Sequence, residues 1–298
     1  MARTSSAARR VLLLGDERKG GTRRRVQQFA DWLRTRGCEV AVELGRDSSL
    51  EDRRCDLVIV FGGDGSLLGA ARRMGANQRP TLGINLGRLG FLTAFEHERA
   101  EEAAELALAG RLVEEPRMLL QGSVADVDGA ETEPVLMMND AVVDRASTGG
   151  MITVRVTRAG AELATYRGDG LIVATAAGST AYSMAAGGPV LTPELDAVVL
   201  TPLASHSLSA RPLVVPVGLG IEVHLLEAGG KRHVHLQLDG QVRMPLAIGQ
   251  AAVLRPANVR FRHLGPGPGH FFEVLRAKFG FTGLPPSIAV DPTGRSTR

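Results

Sequence analysis

The chain has 298 residues, 44% of them hydrophobic and 22% charged, with a net charge of +3. That composition excludes a disordered chain, and a chain of this length buries roughly three quarters of its unfolded surface without needing staples. Only Cys38 and Cys55 occur, which excludes a disulfide framework and a four-thiolate zinc site and fits a reducing compartment. No apolar run approaches the ~18 residues that a membrane span needs, so no membrane partner is expected. Lysine appears only at 19, 231 and 278, and the many arginines are balanced by acids. With aromatics at 4%, this argues against a nucleic-acid partner.

In chain order, residues 1–10 read as a frayed tail. Arg10 to Gly15 is a continuous apolar run, the mark of a strand buried on both faces. Thr22 to Arg36 carries Val26, Phe29, Ala30 and Leu33 at helical spacing, with Gly37 placed as its C-terminal stop. Strands are expected at Glu39 to Leu44, Asp56 to Phe61 and Pro80 to Leu86, and helices at Ser66 to Met74 and Glu98 to Ala109. This alternation predicts a parallel, doubly wound sheet. The texture changes near Glu114 to Arg117. From there to about His263 the sequence reads as short strands and turns, among them Met151 to Thr157, Glu162 to Tyr166, Leu171 to Thr175, Ile221 to Leu226 and His233 to Leu238. Ala159-Gly160 reads as a hairpin turn, and one short helix is expected after Ser179. A breaker cluster at 265–269 precedes helical spacing over His270 to Phe281, a segment expected to pack back on the first domain. The expected division is 1–115, 116–264 and 265–298.

Gly62-Gly63-Asp64-Gly65-Ser66 lies between a buried strand and a helix, at the sheet edge where ligands bind in open α/β folds. Its glycines let the backbone approach a ligand, and the helix start favours phosphate. A carboxylate in such a cradle opposes phosphate unless it has a task, such as accepting a proton from an attacking hydroxyl or holding a metal ion; the alternative is that Asp64 caps the helix. A second glycine loop, Gly83 to Thr93, leaves a neighbouring strand and offers Asn85 and Arg88 to phosphate. Gly15 to Thr22 has the outline of a P-loop, but Gly21 stands where the lysine belongs. His233, His235 and His224 read as strand histidines rather than a metal site. Polar clusters at Asn139-Asp140, Arg167-Gly-Asp169 and Thr175 to Pro189 suit ribose and amide edges, or equally serve as caps and turns.

Taken in order, Gly62 to Ser66, Gly83 to Thr93, Asn139-Asp140, Gly168-Asp-Gly170, Gly178 to Pro189, Thr201 to His206, Arg211-Pro212 and Asp239-Gly-Gln241 resemble the NAD kinase family. The first of these alone is shared with phosphofructokinases and lipid kinases. The resemblance implies a Rossmann-like N-terminal α/β domain with a C-terminal β-sandwich. It implies phosphoryl transfer from ATP, or polyphosphate in some bacterial members, to the 2′-hydroxyl of the adenosine ribose of NAD. Asp64 matches the general base. Asp64, Gly65, Asn139, Asp140, Arg167, Asp169, Thr180, Ala181, Tyr182, Ser183, Met184, Ala185 and Gln241 match positions lining the NAD site. Gly62, Gly63, Ser66, Asn85 and Arg88 would serve the phosphates. A divalent cation, Mg²⁺, is expected with ATP, as are homodimers or homotetramers in the cytoplasm. The sequence departs from the family pattern at Ala176 and Ala177, in a segment usually Thr-Pro-Thr, at Ala185, where serine is usual, and at Ser205, where proline is common. A lipid kinase built on the same turn and a nucleotide sensor without turnover are the competing readings.

Overall fold

The computed structural model describes residues 10–87, 90–145, 150–205, 207, 210–229, 234–267 and 269–280. The first part runs β1 (Arg10–Leu14), α1 (Thr22–Thr35), β2 (Glu39–Glu43), β3 (Leu57–Phe61), α2 (Asp64–Arg73), β4 (Thr81–Asn85), β5 (Phe95–Glu96) and α3 (Ala100–Leu108). Then come β6 (Val113–Ala125), β7 (Val135–Met137), β8 (Asp140–Arg145), β9 (Ile152–Arg158), β10 (Ala161–Gly168), β11 (Gly170–Thr175) and the single-turn α4 (Tyr182–Ala185). The chain closes with β12 (Ala197–Leu203), β13 (Leu213–Pro216), β14 (Ile221–Ala228), β15 (Val234–Leu238), β16 (Val242–Leu246), β17 (Ala251–Gly265) and α5 (Gly269–Phe279). His233 and Phe281, predicted ends of a strand and a helix, lie outside the described residues.

β2, β1, β3 and β4 pair in parallel, as the apolar runs predict. Alternate residues of these strands face opposite layers. Val11, Leu13, Leu57 and Ile59 pack with α1 and α3, through Val26, Phe29, Leu33, Ala103 and Ala104. Leu12, Leu14, Val58 and Val60 pack with α2, through Leu67, Leu68 and Ala71. β3 is buried along its whole length because both faces are covered.

The remainder is an antiparallel β-sandwich. One sheet has the order β13-β12-β11-β8-β15-β16. The facing layer, β10-β9-β14-β17, is continuous with the parallel sheet through β17. The first half of β17 pairs with β14, an irregularity follows between Pro256 and Arg260, and His263 and Leu264 then lie parallel to Thr81 and Leu82 of β4. β6 accompanies β17 on both sides of that irregularity. The texture change near Glu114 to Arg117 thus falls inside a long β6–β17 ribbon, not in a linker. The β9–β10 hairpin turns on Ala159 and Gly160, both at positive φ (50° and 78°), as a two-residue primed turn requires. α5 returns to the first part of the chain, with Phe271 and Phe279 against Phe91 at ring centroid distances of 5.7 and 6.0 Å.

α2 starts two residues before the predicted Ser66. Gly63 adopts an extended conformation at the N-cap, and the Ser66 N–H donates to its carbonyl at 2.8 Å, so Asp64 becomes the first helical residue. Among the described residues no helix is long and apolar enough to cross a membrane.

Phe261 of β17 is fully buried where α2, Met138 and the ribbon meet. Phe261→Ala is expected to lower the free energy of unfolding by about 3–5 kcal/mol, read from the shift in a urea-denaturation midpoint.

Candidate active site

β3 delivers Gly62 and Gly63 to the carboxyl edge of the parallel strands. A Cβ on Gly62 would lie 2.2 Å from Ser66 Oγ, so only glycine permits this entry into α2. The Asp64 side-chain hydrogen bonds found among the described residues all leave its own helix. Its carboxylate reaches across to the loop after β4. Oδ2 accepts from the Phe91 N–H at 2.8 Å; Oδ1 accepts from the N–H groups of Leu92 and Thr93 at 3.1 and 3.2 Å and from Thr93 Oγ1 at 3.2 Å. A Cβ on Gly90 would lie 1.8 Å from Asp64 Oδ1, so the loop can close on the carboxylate only with glycine there. Behind the loop, buried His263 donates from Nε2 to the Leu92 carbonyl at 2.8 Å. Glu115 accepts from Arg117 at 2.6 Å. Its carboxyl is held below the ordinary range by the hydrogen bond with His263 and by Arg117, against the opposing effect of burial.

On another side of the helix start lies a cavity of about 340 Å³. α2 lines it with Gly65, Ser66, Gly69, Arg72 and Arg73, and the ends of β1 and β2 contribute Asp16, Arg18 and Arg46. Asp16 is buried; its Oδ1 accepts from Arg18 Nε at 3.1 Å and its Oδ2 from Arg46, so one carboxylate fixes two guanidinium groups at the rim. Arg72 donates from Nη2 to Gln241 Oε1 at 2.7 Å, while its Nη1 is buried with no hydrogen-bond partner. Burial pushes the Arg72 guanidinium below its ordinary value, and the charge of Asp239 opposes that push. An arginine with an unspent donor in the lining of this cavity suits an oxyanion.

Gln241 also donates from Nε2 to the Gly65 carbonyl at 2.7 Å, joining the β15–β16 turn to the glycine turn. Two residues earlier, Asp239 reaches the Asn139-Asp140 turn. The Asn139 carbonyl accepts from the Thr175 N–H at 2.8 Å, and a Cβ on Gly178 would lie 2.0 Å from it. The side-chain oxygen of Asn139 is buried without a hydrogen-bond partner, an acceptor that a ligand donor would satisfy. The Asp140 carboxyl is pushed up to about 7 by burial and by the neighbouring charge of Asp239.

Asp64, Gly65, Ser66, Asn139, Asp140 and Gln241 are therefore brought into one connected region. The segment 178–188 leaves that end of β11 and lies over the outer face of the six-stranded sheet. Ala186 packs on Val142, Ile172 and Ala174, and buried Ser183 is hydrogen-bonded to Thr201 Oγ1 at 2.8 Å. Thr180 Oγ1 donates to the Ala177 carbonyl at 3.1 Å. Tyr182 and Ala185 are exposed; Ala181 and Met184 are half-buried. Arg167 and Asp169 stand at the opposite end of β11. Asp140 pairs with Ala174, five residues from Asp169, or roughly 17 Å along a strand. Asp169 is engaged there by Arg145 at 2.7 Å. Asn85 is buried and accepts from the Gly87 N–H at 2.8 Å, shaping its own loop. Arg88 lies outside the described residues. His224 and His235 sit on different sheets, and His233 lies outside the described residues.

A profile for the ATP-NAD kinase N-terminal domain matches residues 48–112, and one for the ATP-NAD kinase C-terminal domain matches residues 138–262. The NAD kinase of Heliobacterium modesticaldum is 37% identical over 262 residues, covering 85% of this chain and 92% of that one. The NAD kinase of Variovorax paradoxus is 37% identical over 298 residues, covering 92% and 97%. The chain belongs to the NAD kinase family. It is a kinase. An Archaeoglobus fulgidus NAD kinase solved with ATP superposes with a TM-score of 0.73 at 26% identity, covering 90% of this chain and 97% of that one. Yeast NADH kinase solved with NADH shares the fold at a TM-score of 0.84 and 22% identity, covering 94% and 89%.

Sequence reasoning assigned no role to Asp16, Arg18, Arg46 and Arg72, and named Thr93 and Asp239 only within motifs, without a role of their own. The first three follow strands β1 and β2 at the carboxyl edge, so applying the edge rule to every strand would have found them.

Gly90→Ala is expected to displace the Asp64 carboxylate and lower phosphoryl-transfer turnover by about 10²-fold, measured as kcat on folded protein. The Asp140 carboxyl holds its proton in the folded protein below about 7 and loses it near 3.8 when unfolded. Its contribution to stability is full below its unfolded value and is lost as pH rises through about 7. Asp140→Asn should therefore raise the melting midpoint relative to the parent at about pH 8, with the gain vanishing toward about pH 4, in paired thermal scans.

Proposed function

We propose that this kinase transfers the γ-phosphoryl group of ATP, or a terminal phosphoryl group of polyphosphate, to the 2′-hydroxyl of the adenosine ribose of NAD, giving NADP. The observation that carries the reading is the family membership joined to the placement of Asp64. The carboxylate at the first residue of α2 is oriented by four donors, and the residues that follow it, Gly65 and Ser66, line the arginine-bearing cavity. Asp64 Oδ2 carries only one of those hydrogen bonds and can take the hydroxyl proton. The ribose oxygen then attacks the γ-phosphorus, the bond to the leaving phosphate breaks, and ADP or the shortened polyphosphate departs. Arg18, Arg46, Arg72 and the Gly65 N–H would hold the donor's charge; such catalysis is mainly positioning and electrostatics. Asn139 offers its unsatisfied oxygen to an amino group such as that of adenine, and Asp140 and segment 180–185 complete the NAD side.

Among the described residues no three His, Cys, Asp or Glu side chains converge to hold a metal ion. Mg²⁺ is proposed to arrive with the donor as MgATP. The roughly 17 Å between Asp169 and Asp140 along β11 is beyond the reach of one ribose. Arg167 and Asp169 would then meet another part of the dinucleotide or a second copy of the chain; the homodimer or homotetramer in the cytoplasm is carried by the family resemblance alone.

Incubation of purified protein with NAD, Mg²⁺ and either ATP or polyphosphate, read with an NADP-specific dehydrogenase, tests the reaction and identifies the donor. Asp64→Asn should lower turnover by about 10²–10⁴-fold while calorimetry shows NAD still bound. An Asn variant as fast as the parent would overturn the base assignment.

A further inference from the structure

Asp239 is buried at 8% exposure and sits at φ 51° in the turn between β15 and β16, a left-handed conformation that non-glycine residues seldom adopt. Its carboxylate is turned inward, onto a segment about a hundred residues away in sequence. Oδ1 accepts from the Asn139 N–H at 2.7 Å and from the Asp140 N–H at 3.2 Å, and Oδ2 accepts from the Met138 N–H at 3.0 Å. The Asp239 N–H in turn donates to the Asp140 carbonyl at 2.8 Å. Three successive amides folded round one carboxylate define the path of the backbone that carries Asn139 and Asp140. Burial pushes the Asp239 carboxyl up from its ordinary value, and the three amides oppose that push. The same turn continues into Gln241, which grips the Gly65 carbonyl and Arg72. One short turn thus touches both halves of the site, and strain at Asp239 persists because its surroundings fix it.

We propose that Asp239 is a positioning residue for NAD, holding the Asn139-Asp140 turn in its binding geometry before NAD arrives, while Gln241, from the same turn, holds Arg72 for the phosphoryl donor. This rests on the proposed NAD phosphorylation. Asp239 touches neither substrate; it acts through the backbone it anchors. The Asn139 side-chain oxygen, left without a partner, can be aimed at a ligand only if the backbone beneath it does not move.

The test combines steady-state kinetics of the full chain with amide exchange. Asp239→Asn keeps one acceptor oxygen and Asp239→Ala keeps none. The KM for NAD should therefore rise in the order Asp, Asn, Ala, by about 10-fold or more for Ala, while the KM for ATP stays within about two-fold. Gln241→Ala should instead raise the KM for ATP. A merely structural role would reduce the folded fraction, lowering apparent kcat and leaving both KM values in place; that pattern overturns the proposal. Should the variants fail to fold, hydrogen exchange on the parent protein decides: the amides of Met138 to Asp140 should be protected without NAD and no further protected with it. Fast exchange without NAD that slows on its addition overturns the proposal. A parent protein that forms no NADP defeats the proposed function instead, and the exchange result without NAD still judges whether the turn is preformed.

Discussion

Four hydrogen bonds from one loop decide where the Asp64 carboxylate sits, and the rest of the site takes its bearings from that position. The arrangement needs a glycine at 90, because any side chain there would occupy the carboxylate's own space. It also needs the loop itself held from behind, which His263 does from β17 through the Leu92 carbonyl. A carboxylate beside the proposed phosphate site is electrostatically unfavourable, and the loop's donors supply the compensation that lets it stay there.

The continuous sheet explains how two dissimilar halves share one site. β17 begins in the sandwich beside β14 and ends beside β4 of the parallel sheet, so the distance between the halves is set by a hydrogen-bonded ribbon. Across the cleft, the β15–β16 turn makes the second tie, with Asp239 on one partner and Gln241 on the other. Such ties keep the reacting groups within the small tolerance that positioning catalysis demands.

Much of this was legible in the sequence. The apolar runs at Arg10, Asp56 and Pro80 could only be strands covered on both faces, and the glycines at 62–65 marked a backbone that something must approach. What was not legible depended on long-range partners. Periodicity identifies a strand but not its neighbour, so the passage of β17 from one sheet to the other left no local trace. The cavity arginines were hidden because the chain holds 35 basic residues, most of them unremarkable by sequence. Asp239-Gly-Gln241 was legible as a motif; that the Asp239 carboxylate faces a segment about a hundred residues earlier is a fact of tertiary packing. The helix start at Asp64 was displaced because glycine at an N-cap gives a weaker signal than Ser, Thr or Asn.

If Asp64 is the proposed base, its carboxylate faces the reacting sugar oxygen, and a crystal structure of the protein with NAD and a non-transferable ATP analogue would show it. Asp64 Oδ2 should then lie within about 3 Å of the adenosine 2′-oxygen, with the analogue's phosphates in the arginine-lined cavity. A dinucleotide bound in a closed site with that oxygen beyond reach of the carboxylate would contradict the base assignment.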